Sequence, residues 1–143
     1  MADFPLSYDA DRQMIAVDGP GGASVMLAVM LKAKFGEAFD PEILFHGPLA
    51  KLMTELRAAS LIPGVAAEAP FSQEQLVLIA TEIAAKSAEI GWWTWLPGDR
   101  IAYLQDTVAA PHRLSDDQVE TILLEVDVEL DRYREIVRAA ALT

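Results

Sequence analysis

Three tryptophans fall within four positions, Trp92, Trp93 and Trp95, with Arg100 and Tyr103 just beyond them. Tryptophan offers a wide flat apolar face and a single N–H donor, a combination enriched where proteins grip ligands or one another. Arg100 and Asp99 supply nearby polar groups, so the segment reads as a binding region in which some rings anchor the core and the rest remain for a partner. The chain has two histidines, His46 in Phe-His-Gly-Pro and His112 in Pro-His-Arg. Histidine is the usual general base and metal ligand, yet neither has a carboxylate at the spacing of a helical metal motif. Both sit beside turn residues, where capping or solvation is the expected role. A catalytic role would require them, or one of them and a carboxylate, to converge within about 6 Å.

The acids of the last segment, Glu125, Asp127, Glu129 and Asp131, are spaced one turn apart in pairs. A di-metal bundle needs Glu-x-x-His pairs on two helices; this chain has none, so these acids read as a solvated face. Ile15-Ala16-Val17-Asp18-Gly19-Pro20-Gly21-Gly22 resembles the first strand and glycine loop of nucleoside monophosphate kinases of the cytidylate kinase type, over about ten residues. That resemblance would imply a phosphate cradle. The cradle needs a Gly-Lys-Ser/Thr finish, and Ser24, Val25 and Met26 stand there instead. The segment is therefore expected to be a turn before a helix. With no cysteine and no Gly-x-Ser-x-Gly elbow, the residues supply no catalytic motif and call for no metal or cofactor.

The elements that position these residues are mainly helical. Ser115 to Thr143 carries Val119, Leu123, Val126, Leu130, Tyr133, Val137 and Ala140 in an alternation of four and three. That spacing lines them along one stripe of a helix over 115–142, about 40 Å long at 1.5 Å per residue. Ser115 and Gln118 form a capping box, and Leu114 with Val119 are placed as a hydrophobic staple. The stripe is expected to be covered by an apolar helix over 73–90, itself capped by Ser72 and Gln75 and closed by Gly91. Leu124 and Val128 lie on the opposite side, which makes them candidates for a subunit or partner interface.

Further helices are expected over 23–35, as a single turn over 41–46 behind Asp40-Pro41, and over 48–60. Residues 1–21 read as irregular or extended, with a short strand over Gln13 to Val17. For 92–110 two readings stand. A helix over 100–110, capped by Asp99, is preferred; a β-hairpin near 92–104 around Pro97-Gly98-Asp99 is the alternative, and it alone would readily supply partners for a strand at 13–17.

The 143 residues match the size of one domain able to bury a substantial core. Hydrophobic residues make up 52% of them and the mean hydropathy is positive, but no apolar run approaches a membrane span. The net charge of −11 repels phosphate backbones and argues against nucleic-acid binding. Met-Ala-Asp-Phe-Pro has an acid where a signal peptide carries positive charge, which makes the cytoplasm the expected compartment. The expectation is thus a mainly α, single compact domain of about five helices. Its expected role is a non-enzymatic interaction domain that binds a protein partner or itself. A small-molecule-binding domain or small enzyme, with a pocket of Trp93, Trp95 and Tyr103 served by a histidine, is the rival.

Overall fold

The computed structural model describes residues 6–36, 39–60 and 67–142. The order of elements is β1 (Leu6–Asp9), β2 (Met14–Val17), α1 (Gly19–Phe35), α2 (Pro41–Leu44), α3 (Gly47–Ala59), α4 (Gln73–Ile90), a 3-10 turn (Trp92–Thr94), α5 (Pro97–Tyr103), a π-helical continuation (Leu104–Ala109) and α6 (Asp116–Ala141). The fold is mainly α, with six α-helices and one small antiparallel hairpin among the described residues. The chain divides into two compact units: Met1–Ala67 with Gln105–Arg113, and Glu68–Leu104 with Leu114–Thr143. Among the described residues no helix is long and apolar enough to cross a membrane.

In the first unit the hairpin pairs Leu6 with Val17 and Tyr8 with Ile15. Its turn is held by the Asp9 carboxylate, which accepts from the Asp11 and Arg12 amides at 3.1 and 3.3 Å, while Gln13 takes a left-handed backbone. The strand expected at 13–17 is present, but its partner is its immediate neighbour in sequence rather than residues 92–104. Helix α1 starts four residues earlier than the spacing suggests, taking in the glycine run with Pro20 in its first turn. Proline lacks the N–H that a first turn leaves unpaired, so it fits there. Asp40 caps α2 by accepting from the Glu42 amide. Ala23 and Leu27 of α1 are buried with Met53 and Leu56 of α3, and Met30, Leu31, Phe35 and Leu49 pack against that cluster.

In the second unit α4 and α6 form the core. Leu76, Ile79, Ala80, Ile83 and Ala84 face Val119, Ile122, Val126 and Leu130, all buried. Both capping boxes form. Ser72 and Gln75 exchange bonds of 2.9 and 3.1 Å, and Ser115 and Gln118 exchange bonds of 2.9 and 3.2 Å. The Gln118 amide also donates to the Ala69 carbonyl at 3.0 Å, so the start of α6 lies beside the segment leading into α4. At the far end, Arg134 of α6 covers Trp93, which follows the end of α4. The two helices therefore run parallel.

That direction has a consequence for the stripe of α6. At 1.5 Å per residue its 26 residues span about 39 Å, against about 27 Å for the 18 residues of α4. With the starts aligned, the last turns of α6 overrun their cover. Val119, Val126 and Leu130 are buried, whereas Tyr133, Val137 and Ala140 are exposed, with Val137 at 67%. The expectation that one helix would cover the whole stripe holds only for its first half.

The β-hairpin near 92–104 does not form. Gly91 ends α4 in a left-handed conformation, Trp92–Thr94 makes a single 3-10 turn, and Pro97 opens α5. Arg100 fixes that arrangement. Its Nε and Nη2 donate to the Trp92 carbonyl at 3.1 and 2.9 Å, so the carbonyl is engaged by a side chain and not by a second strand. The helical reading of this region holds, beginning at Pro97 rather than at 100.

Candidate functional site

The aromatic segment divides into two groups. Trp92, only 1% exposed, stacks its ring 5.5 Å from that of Trp95, and Trp95 meets Tyr103 edge-on at 5.2 Å. This chain of rings is structural packing, and burial pushes the Tyr103 hydroxyl above its ordinary pKa. Trp93 turns the other way and is 44% exposed. It opens onto a cleft of about 400 Å3 in the second unit, shared with Trp92 and Arg100 on one wall and with Asp127, Asp131 and Arg134 of α6 on the other. Leu130, one turn before Arg134, also lines it.

Each cation in the cleft already has work to do. The Arg100 guanidinium lies 5.2 Å from the centre of the Trp92 ring while bonding its carbonyl. The Arg134 guanidinium lies 5.2 Å from the Trp93 ring and reaches the Asp131 carboxylate at 3.5 Å. Both partners of that ion pair are well exposed, a setting in which such pairs contribute little. Asp127, one turn before Asp131 and aligned with it, makes no ion pair among the described residues. Pairing i with i+4 along a helix is what brings both carboxylates to one wall.

Of the residues marked out by sequence, the structure brings Trp92, Trp93 and Arg100 together at the cleft and places Trp95 and Tyr103 in the adjoining ring stack. Leu124 and Val128 are exposed on α6 and do not line the cleft. Asp127, Asp131 and Arg134 join it only because α6 runs parallel to α4. The sequence reads the two acids as a solvated face and does not mark Arg134 as a site residue.

The histidines have separate surroundings in the first unit. His46 is the N-cap of α3, its Nδ1 accepting from the Leu49 amide at 3.0 Å. His112 packs its ring 4.8 Å from Phe35, and its Nδ1 is buried without a hydrogen-bond partner among the described residues. Burial, then the nearby charges of Arg57 and Lys34, hold His112 below its ordinary pKa, so it stands as a neutral imidazole among cations. Lys34 is the residue that sequence reading missed. Only 5% exposed, it donates from Nζ to the Thr107 and Ala110 carbonyls at 2.8 and 2.6 Å, and burial lowers its pKa to about 8. Arg57 adds a bond to the Pro111 carbonyl at 3.3 Å. These cations tie the 105–113 segment to α1 and α3, a structural task, since Lys34 directs its donors at backbone. The available signal was phase: Lys34 falls seven residues after Leu27 and three after Leu31, on the buried face.

Among the described residues no three His, Asp or Glu side chains converge as a metal site. Comparison of the chain with known protein families, with curated proteins and with solved structures finds no match, so the cleft and the uncovered end of α6 are what bear on function.

Proposed function

We propose that this chain is a non-enzymatic interaction domain that binds another protein through the second unit, using the uncovered end of α6 and the adjoining cleft. The observation that carries the reading is the apolar stripe of α6. It continues past its own cover through Tyr133, Ile136, Val137 and Ala140, all solvent-exposed, with Leu142 at 84%. Apolar residues repeated at helical spacing on a bare helix are the form in which a helix docks against a groove or another helix. Exposed Trp93 stands at the base of the same projection, and rigid aromatic side chains anchor such contacts at low entropic cost. The net charge of −11 disfavours nucleic acid as the partner and favours a basic protein. The small-enzyme reading lacks comparable support, because His46 is engaged in capping and His112 is surrounded by cations.

Site-specific photo-crosslinking in the native host tests this. A photoreactive residue in place of Ile136 should give discrete protein adducts, while the same residue in place of exposed Glu74 on α4 should not. An adduct of twice the chain mass would identify the partner as a second copy. Equal yields from both positions, or none from Ile136, would reject the reading.

A further inference from the structure

The geometry points to the Trp93 cleft as a receptor for an arginine side chain presented by the partner. This rests on the interaction reading above and specifies the chemistry of what is bound. Two guanidiniums and two carboxylates line the cleft, and how each is engaged bears on the sign of the ligand. Arg100 is engaged with the Trp92 carbonyl, and Arg134 is balanced by Asp131. Arg100 and Asp127 both lack an ion-pair partner among the described residues, but Arg100 has its Nε and Nη2 committed to a carbonyl. The end of α4 adds to this, since Gly91 closes that helix immediately before Trp92, and a helix C-terminus carries partial negative charge. An anionic ligand would compete with the Trp92 carbonyl for Arg100 or with Asp131 for Arg134, whereas a cation meets Asp127 without displacing an ion pair.

The chain itself shows how a guanidinium is accommodated. Arg134 spreads its guanidinium 5.2 Å from the Trp93 ring, beside a carboxylate. Planar stacking on indole together with a forked bond to carboxylate is arginine chemistry, which the compact ammonium of lysine reproduces poorly. The internal occupant is weakly held, because its ion pair is long and exposed. A partner arginine can therefore share or take the Trp93 face while forking onto Asp127, and the cleft of about 400 Å3 leaves room for it. Arg134 then acts as a competitor that sets the affinity of the empty cleft.

The test follows the Trp93 indole N–H by NMR in the full chain while Nα-acetyl-arginine amide is added. The matching citrulline amide, which has the shape of arginine without its charge, serves as control. Arginine amide should shift the resonance saturably at millimolar concentration, and citrulline amide should not. Asp127→Asn should weaken the arginine response about fivefold, the size of one exposed charge pair. Arg134→Gln should strengthen it roughly threefold or more by removing the competitor. Both substitutions are at exposed side chains, and spectral dispersion reports that the fold is kept. An equal response to citrulline, no saturable shift in either the wild type or Arg134→Gln, or an unchanged response in Asp127→Asn would overturn the inference. Crosslinking from Ile136 without an arginine response would remove this inference and leave the interaction reading intact. An arginine response without crosslinking would do the reverse.

Discussion

Replacing Lys34 by methionine should change how the stability of the protein depends on pH. Lys34 is 5% exposed, and its pKa falls from 10.5 to about 8 because burial penalises its charged form. Below pH 8 both the folded and the unfolded chain hold the proton, and the folded state carries the full desolvation penalty. Between about pH 8 and 10.5 the folded chain has released the proton while the unfolded chain still holds it, so stability rises with pH at about 1.4 kcal/mol per unit. The neutral amine can still donate to the Thr107 and Ala110 carbonyls, so the structural tie survives deprotonation. From pH 8 to 9.5 the wild type should therefore gain about 2 kcal/mol relative to Lys34→Met. The variant should be the less stable at every pH in that range, since two carbonyls lose their donor at about 1 to 3 kcal/mol each. Urea unfolding of both proteins at pH 7, 8 and 9.5 measures this, and taking the difference cancels the titration of groups common to both. A difference that stays constant within about 0.5 kcal/mol across the range would show that Lys34 titrates as a hydrated lysine, and the argument from burial would fail.

Trp92→Ala should destabilise the protein by about 3 to 5 kcal/mol in urea unfolding, because it empties a fully buried site and removes a ring of the aromatic stack. Gly91→Ala should cost about 1 to 2 kcal/mol in the same assay: Gly91 has φ +74°, and a Cβ there would meet Thr94 Oγ1 at 3.4 Å. His112 should titrate by NMR with a midpoint below 6.5, and Arg57→Gln should raise that midpoint. Because the folded state favours the neutral ring, its contribution to stability is present above pH 6.5 and is lost as the pH falls through the lowered pKa.

Local chemistry in this chain was readable where one short segment decides the outcome. Ser72 with Gln75 and Ser115 with Gln118 state both helix starts within four residues, and Gly91 states a helix end. The four–three spacing gave the length of α6. The N-terminal hairpin carries no such signal, because its turn relies on Asp9 and on Gln13 adopting a left-handed conformation more typical of glycine or asparagine. Lys34 illustrates a different difficulty. A lysine in an apolar phase reads as an interruption until the carbonyls that receive it, more than seventy residues away, are brought alongside. The cleft depended on the direction of helix packing. Trp93 was conspicuous in sequence, but its neighbours Asp127, Asp131 and Arg134 follow from α4 and α6 running parallel, which no local pattern states.

The interleaving of the two units bears on how the protein can be divided. Between Leu104 and Gln105 the chain leaves the second unit partway along a continuous helix, and after Arg113 it returns. Neither unit is therefore a single stretch of sequence. A cut at residue 67 would leave the N-terminal piece without the Thr107, Ala110 and Pro111 carbonyls that Lys34 and Arg57 hold. It would strand a buried ammonium with no acceptor. The C-terminal piece would carry a nine-residue excursion with nothing to receive it. Inheritance, truncation or fusion of this protein must accordingly treat the two units as one indivisible length of chain.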